Sequence, residues 1–214
     1  MTDLTMLADG LPEQRGPLGL LSGDEFGPQV AEFDRALLAA SGPRIGLVIC
    51  ADHRAALNTT RMARAHFGTL GAEVLDADVV HGDDHPDVDL VYLGGGSPAE
   101  LLACLRDNPR WAAVADAWRG GTGLAGASAG AMALCEHTLE PRPGDRVPTV
   151  WTRGLGPVAT VALAVHAGSR PPTWLQNIKG GSPVRVLALD DYTGVIIHAD
   201  GRVQREGPGD VWFA

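Results

Sequence analysis

Short, uninterrupted apolar runs recur along the chain, and most of them end directly in glycine or a small residue. Such runs predict strands that are buried on both faces, as in parallel sheets. Segments with helical periodicity separate the runs, so strand and helix alternate. The predicted strands cover residues 44–50, 72–77, 89–93 and 123–127, and the predicted helices cover 28–40, 58–67, 98–106, 111–118 and 129–137. We therefore expect an α/β fold, a three-layer sandwich with a mostly parallel central sheet.

The last part of the chain has a different pattern. Strand-like segments cover 158–166 and 184–189, and a further pair at 194–199 and 202–205 flanks Asp200-Gly201. Because Asp-Gly favours tight turns, this pair predicts a C-terminal β-hairpin. The stretch 140–156, rich in proline, glycine and arginine, is expected to be a long loop. Residues 1–15 are expected to form a loose N-terminal arm and residues 16–214 a single α/β domain.

The composition argues against several classes of function. The 214 residues include 26 acidic and 17 basic side chains, giving a net charge of −9, and such a chain repels nucleic-acid phosphates. No apolar run reaches the roughly 18 residues that span a bilayer, and the N-terminus has no secretory pattern. The three cysteines are far apart, which argues against disulfides and a structural zinc site. We expect a cytoplasmic protein that binds neither nucleic acid nor membrane.

The segment Gly126-Ala127-Ser128-Ala129-Gly130 matches the pattern G-x-S-x-G and lies between a predicted strand and a predicted helix. This context is typical of a nucleophile elbow, which presents a serine hydroxyl at the carboxyl edge of a sheet. A glycine-rich tight turn with an incidental serine gives the same pattern. The overlapping G-x-G-x-x-G match at 121–126 has its glycines ahead of the strand rather than after it, so no dinucleotide cofactor is expected.

These residues give the chain a resemblance to a known family. The run 126–131, preceded by Tyr92-Leu93-Gly94-Gly95-Gly96, resembles the serine peptidase family of peptidase E (aspartyl dipeptidase) and cyanophycinase. Residues 16–26, Gly154-Leu155-Gly156 with His166 ten residues later, and residues 187–213 are also similar to that family. The resemblance spans about residues 16–213. It implies a flavodoxin-like fold similar to class I glutamine amidotransferases, with serine in place of their cysteine.

The resemblance implies a triad of serine, histidine and an acid. Ser128 is the expected nucleophile, and His166, at the end of an apolar strand, matches the family's histidine. Open α/β sheets place their sites at such strand ends. The family's acid comes from the loop between the elbow helix and the histidine strand, where we select Glu140, with Asp145 and Glu136 as alternatives. A solvated loop charge is the other interpretation of each acid.

Backbone N–H groups are expected to stabilise the oxyanion. Ala129 directly follows the serine, and Gly95 lies between Gly94 and Gly96 in a triplet that allows close approach to a ligand. A flexible turn is the alternative for the triplet. No metal ion or cofactor is expected, and the polar cluster at 81–87 is interpreted as a surface connection because no second cluster supports it.

The resemblance implies a serine peptidase for short peptides, and we favour a dipeptidase that acts on N-terminal Asp-X. The chain departs from aspartyl dipeptidases at Ser97-Pro98, where those enzymes usually carry Asn-Thr near the substrate. The alternatives are an esterase or amidase with the same machinery, a cyanophycinase-like hydrolase, and a binding protein with a vestigial triad. A short peptide is the expected partner, and a homodimer is one option for the assembly.

Overall fold

The computed structural model describes residues 3–50, 56–76, 79–80, 87–141 and 148–214. Helices α1 to α6 cover, in order, Ala31–Ser41, Ala56–Thr69, Pro98–Leu105, Pro109–Arg119, Ala129–Ala133 and Pro172–Gly180. Strands β1 to β12 cover, in order, Leu18–Leu21, Arg44–Val48, Glu73–Asp76, Leu90–Leu93, Gly123–Ala127, His137–Pro141, Pro148–Arg153, Val161–Ala164, Arg185–Leu189, Gly194–Ile197, Val203–Glu206 and Val211–Phe213. None of the helices in these ranges combines the length and apolar character needed to cross a bilayer.

Seven strands form the central sheet in the order β11-β10-β1-β5-β4-β2-β3. Strands β1 to β5 run parallel, and β10 and β11 add an antiparallel edge beside β1. Every residue of β1, β4 and β5 is buried, as the uninterrupted apolar runs predicted. The hairpin predicted around Asp200-Gly201 is the pair β10–β11.

Helices cover both faces of the sheet. On one face, Phe33 of α1 and Phe67 of α2 pack in one apolar cluster with Tyr92 of β4. On the other face, Leu93 of β4 and Leu101 of α3 belong to a second cluster. Each such side chain, when fully buried, stabilises the fold by about 1.5–3 kcal/mol relative to exposure. The arrangement confirms the predicted three-layer α/β sandwich.

The segment after β5 differs from its prediction. Helix α5 ends at Ala133 rather than near His137, and much of the expected loop 140–156 belongs to the antiparallel pair β6–β7. Cys135 forms a parallel β-bridge with Val158, so the chain is already paired with another segment two residues after the end of α5. Tertiary pairing therefore overrides the local helical pattern here.

Two further features were not anticipated from the sequence pattern. Helix α6 lies between β8 and β9, and Leu7, within the arm that was expected to be loose, is fully buried against the core. A short 3₁₀ helix at Thr5–Ala8 presents that leucine. The N-terminal arm is thus partly anchored by apolar burial.

A second sheet has three strands, in the order β12-β9-β8. Strands β8 and β9 run parallel, with Ala164 opposite Ala188, so both strands end at the same edge. In the central sheet, β5 lies between β1 and β4, and all three are parallel. The segments that follow β1, β4 and β5 therefore leave the sheet side by side.

Candidate active site

Ser128 lies in the sharp turn between β5 and α5. Its backbone has φ 48° and ψ −113°, a conformation that residues other than glycine rarely adopt. Close packing explains the flanking glycines: a Cβ atom on Gly126 would lie 2.5 Å from the carbonyl carbon of Gly130, and one on Gly130 would overlap the carbonyl oxygen of Leu93. The G-x-S-x-G segment thus forms a tight strand–turn–helix with the serine at the carboxyl edge of the sheet.

His166 approaches Ser128 from the second sheet. Its Nε2 lies 3.4 Å from Ser128 Oγ, and catalytic hydrogen bonds are often this long outside the complex with substrate. The backbone N–H of His166 donates to the buried hydroxyl of Ser22 at 2.8 Å, and that hydroxyl donates to the carbonyl of Leu189 at 3.2 Å. Ser22 therefore connects the end of β1 to the turn that holds the imidazole.

Gly23 leaves room for that imidazole. A Cβ atom on Gly23 would lie 2.7 Å from His166 Nε2 and 3.4 Å from Ser128 Cβ. Real Cβ atoms do not make the shorter of these contacts, since heavy atoms repel strongly at that distance. A side chain at position 23 would have to displace the histidine from the serine.

The second imidazole nitrogen contacts an aspartate. His166 Nδ1 lies 2.6 Å from Asp191 Oδ1, and the two side chains are 25% and 24% exposed. The Ser169 hydroxyl donates to the other carboxylate oxygen. Burial raises the pKa of Asp191, but hydrogen bonds from Ser169 and His166, with the nearby charges of His166 and Arg170, outweigh burial and hold the pKa below its usual value. Asp191 is therefore ionised at neutral pH.

Asp191 takes the position that the sequence analysis assigned to Glu140. Glu140 lies in β6, where it pairs with Val150 of β7. The nitrogen that Glu140 was expected to contact, His166 Nδ1, is hydrogen-bonded to Asp191 instead. The alternative Glu136 precedes β6, with its N–H donated to the carbonyl of Val158, and Asp145 lies outside the described residues.

The relation of Asp191 to His166 becomes visible once the ends and the pairing of β8 and β9 are known. His166 is the second residue after β8 and Asp191 is the second residue after β9. Because these strands are parallel neighbours, with Ala164 opposite Ala188, the segments that follow them leave the sheet at the same edge and come together. The pairing of these two strands therefore places Asp191, rather than a residue of the loop after α5, beside the imidazole.

The glycine triplet approaches Ser128 from the end of β4. A Cβ atom on Gly95 would lie 3.2 Å from Ser128 Cβ, so the backbone of Gly95 borders the serine directly. The N–H group of Gly95 donates to a carboxylate oxygen of Glu25 at 2.7 Å. The turn after β1 thus places a carboxylate at the backbone N–H that was expected to bind an oxyanion.

The other residues predicted for the oxyanion site have different surroundings. Ala129 is buried directly after the serine, at the start of α5. The N–H of Gly94 donates to the carbonyl of Val48 at 2.9 Å, so this N–H belongs to the sheet. Gly96 is exposed and has φ 131°, a backbone conformation that glycine adopts easily.

An open cleft of about 390 Å³ lies beside the imidazole. Its lining is mostly polar and consists of Asp24, His166, Ser169, Arg170, Asp191 and Tyr192. Its volume is at the lower end of the range for small-molecule sites. The guanidinium of Arg170 supplies a positive charge here and also lies 5.7 Å from the ring centre of Trp174.

Three residues of this cleft are close enough to consider as metal ligands. Among the described parts of the chain, Asp24, His166 and Asp191 each offer one ligand atom, all within 4.8 Å of one another. The two nitrogens of His166 already face Ser128 and Asp191, so a bound ion would compete with the serine–histidine contact. Residues 81–86 of the polar cluster noted in the sequence lie outside the described residues.

Comparisons with known proteins agree with this architecture. A peptidase from an acI-B1 Actinobacterium has 24% sequence identity and a TM-score of 0.69, over 94% of this chain and 98% of that chain. A candidate peptidase E from Listeria monocytogenes EGD-e has 15% identity and a TM-score of 0.70, over 91% of this chain and 99% of that chain. A search of curated proteins found no match. The model of peptidase family S51 matches residues 36–202, most of the chain, and the protein therefore belongs to peptidase family S51.

Proposed function

We propose that this protein is a serine peptidase that hydrolyses short peptides, with Ser128 as nucleophile, His166 as base and Asp191 as orienting acid. The observation that supports this most strongly is the continuous line of contacts from Ser128 Oγ through the imidazole to Asp191 Oδ1. A serine hydroxyl is a weak nucleophile until a base accepts its proton, and the base needs a partner that fixes its tautomer. Membership of a peptidase family supports amide bonds as the target.

The reaction follows from these contacts. Ser128 Oγ bonds to the scissile carbonyl carbon while its proton passes to His166 Nε2, and Asp191 stabilises the imidazolium that forms. The N–H groups of Gly95 and Ala129 stabilise the negative oxygen of the tetrahedral intermediate. The C–N bond then breaks, and Nε2 gives its proton to the leaving amine. Water, activated by the same imidazole, hydrolyses the acyl-enzyme and releases the free serine.

We infer that the preferred substrates are dipeptides with an N-terminal aspartate. The small cleft favours short peptides over a polymer, and Arg170 offers a positive charge that would attract an acidic side chain. The resemblance to aspartyl dipeptidases points to the same substrate. Ser97-Pro98 does not argue against this substrate, because the pair has an ordinary structural role. The hydroxyl of Ser97 accepts a hydrogen bond from the backbone N–H of Glu100 at 3.3 Å and caps α3, and Pro98 is the first residue of that helix.

A panel of dipeptides tests the proposal. Asp-Leu, Glu-Leu, Ala-Leu and β-Asp-Leu, together with p-nitrophenyl acetate, would be offered to wild type and to Ser128→Ala. We expect hydrolysis of Asp-Leu and a loss of about 10⁴-fold or more in Ser128→Ala. The control Ser41→Ala removes a hydroxyl that has no hydrogen-bond partner among the described residues, and should leave the rate unchanged.

Each other outcome identifies an alternative. Turnover of the ester without any dipeptide would indicate an esterase, and preference for β-Asp-Leu would indicate a cyanophycinase-like enzyme. A folded protein that cleaves nothing and does not react at Ser128 with a fluorophosphonate would contradict a serine hydrolase and favour a binding role.

A further inference from the structure

Glu25 places a carboxylate in the proposed oxyanion hole, although it takes no part in the steps above. Its Oε1 accepts the N–H of Gly95 at 2.7 Å. A Cβ atom on Gly95 would lie 2.8 Å and 3.3 Å from the two carboxylate oxygens of Glu25, and 3.2 Å from Ser128 Cβ. The carboxylate of Glu25 and the side chain of Ser128 thus lie on the same side of Gly95.

The turn that presents Glu25 is anchored on both sides. Phe26 is buried, and its ring centre lies 5.4 Å from that of Tyr92 and 5.7 Å from that of Phe67. On the other side, the buried hydroxyl of Ser22 connects the turn to the backbone of His166. Glu25 itself is half-buried, and these two anchors fix the turn from which its side chain extends to Gly95.

A carboxylate at this position conflicts with the proposed reaction unless a cation accompanies the substrate. The substrate's carbonyl oxygen must replace Glu25 as the acceptor of the Gly95 N–H. That oxygen then gains negative charge while a carboxylate lies a few Å away, and like charges in a partly buried site destabilise the transition state. A positive group between them would remove the conflict.

A substrate cleaved after its first residue brings such a group. Its α-ammonium nitrogen is three bonds from the scissile carbonyl oxygen, so covalent geometry keeps these atoms about 2.7–3.6 Å apart. When the oxygen takes the Gly95 N–H, the displaced carboxylate of Glu25 needs only a small movement to meet the ammonium. We propose that Glu25 binds the α-ammonium of the substrate and thereby selects peptides with a free N-terminus. This inference rests on the proposed function.

The selection acts on both binding and chemistry. A free N-terminus gives Glu25 a charge-assisted hydrogen bond and neutralises it beside the developing oxyanion. A peptide whose amine is blocked or missing leaves the carboxylate without a partner. Hydrogen bonds to charged groups of this kind correspond to about 10- to 100-fold in kcat/KM.

The test compares two substrates that differ only in the amine. Asp-Leu and succinyl-Leu, in which hydrogen replaces the α-amine, would be offered to wild type and to Glu25→Gln. The glutamine keeps the acceptor for the Gly95 N–H but not the charge. We expect kcat/KM for Asp-Leu to fall about 10- to 100-fold, while kcat/KM for succinyl-Leu stays equal or rises. The ratio of kcat/KM for Asp-Leu to that for succinyl-Leu therefore falls by at least the same factor.

Two further variants make the test specific. Glu100→Gln is the same substitution at an exposed position in the first turn of α3, and it should keep the wild-type ratio. Glu25→Asp keeps the charge and should retain most of the preference for the amine. If Glu25→Gln does not fold, as judged by circular dichroism, Glu25→Ala replaces it with the same expected outcome.

Several results would overturn the inference. An unchanged ratio in folded Glu25→Gln, or an equal loss on both substrates, would show that Glu25 does not recognise the amine. A ratio in Glu25→Asp as low as in Glu25→Gln would argue against a role for the charge. Wild type that cleaves none of the dipeptides would instead overturn the proposed function itself, which distinguishes that failure from a failure at Glu25 alone.

Discussion

The substitution Asp191→Asn removes the negative charge that faces His166 Nδ1 and leaves the shape of the side chain almost unchanged. The carboxylate lies 2.6 Å from Nδ1, close enough to accept its proton in a hydrogen bond and to keep Nε2 free for Ser128. An asparagine can donate to Nδ1 instead, which favours the tautomer with its proton on Nε2. Such an imidazole cannot accept the proton of the serine hydroxyl.

The expected loss of activity follows from the geometry. The charges of imidazolium and carboxylate are spread over both groups, and with their centres about 4 Å apart they attract by about 4 kcal/mol at an effective dielectric constant of about 20. At about 1.4 kcal/mol per tenfold, this corresponds to roughly 10³-fold in kcat. The unfavourable tautomer adds to this loss, so we expect kcat to fall by about 10³- to 10⁴-fold.

The assay is the kcat of Asp-Leu hydrolysis at neutral pH, with folding checked by circular dichroism. Two controls are matched. Asp190→Asn changes the neighbouring carboxylate, which accepts the N–H of Asp210 at 2.9 Å, and Glu140→Gln changes the acid that the sequence favoured. Both should keep kcat within about threefold of wild type, because the carboxylate that faces His166 Nδ1 is that of Asp191. A folded Asp191→Asn within tenfold of wild type, or a 10³-fold loss in Glu140→Gln, would refute the reasoning.

The same variant has a signature in stability. Because the pKa of Asp191 in the folded protein lies below its usual value, the ionised carboxylate stabilises the fold above about pH 4, near its unfolded pKa. This contribution is lost as the pH falls through the lower, folded pKa. The free energies of unfolding of wild type and Asp191→Asn should therefore converge below about pH 4.

Three more substitutions probe the surroundings of the site. Gly23→Ala would press a methyl group against the imidazole of His166, so we expect kcat for Asp-Leu to fall at least about 100-fold. Ser22→Ala removes a buried hydroxyl that accepts the partly buried N–H of His166, so the free energy of unfolding in urea should fall by about 1–3 kcal/mol. Burial raises the pKa of Asp34, although the hydrogen bond and the charge of His66 oppose this. Stability should therefore decrease as the pH rises from the usual aspartate value through the raised one, and Asp34→Asn should flatten that slope.

Each of these substitutions has a control. Gly68→Ala adds a methyl group where nothing lies within 4 Å and should leave kcat unchanged. Ser41→Ala removes a buried hydroxyl that has no hydrogen-bond partner among the described residues, so it should not lower the free energy of unfolding, and Asp116→Asn, in an exposed pair, should keep the pH slope. Full activity in Gly23→Ala, an unaltered free energy of unfolding in Ser22→Ala, or an unaltered pH slope in Asp34→Asn would each contradict the corresponding argument.

The parallel sheet was predictable because its strands are buried on both faces, and such strands need uninterrupted apolar sequence. The position of Ser128 was predictable for a related reason, since Gly126 is required by a backbone contact with Gly130 that is local to the turn. These properties depend on a few neighbouring residues. A single sequence reveals them without knowledge of the remaining chain.

The contact of Asp191 with His166 and the pairing of β6 with β7 were not predictable in the same way. Asp191 meets His166 because β8 and β9 are parallel neighbours, and the pairing of β6 with β7 is a contact between segments that local pattern does not connect. Glu25 reaches Gly95 because β1 and β4 run parallel in one sheet, so the segments that follow them leave at the same edge. Strand order is a property of the assembled sheet, so it has no signature in short segments.

Backbone strain at the site explains why these contacts must be imposed by the whole fold. Among the described residues other than glycine, positive φ angles occur at Asp24, Phe26, Ser128, His166 and Tyr192. All five line the cleft or flank the turns around the serine, and such conformations cost about 1 kcal/mol or more each. Their sum is comparable with the net stability of a typical domain, so the buried sheet must offset it. Substitutions that relieve the strain, such as Ser128→Gly, should therefore stabilise the protein while removing the groups on which catalysis depends.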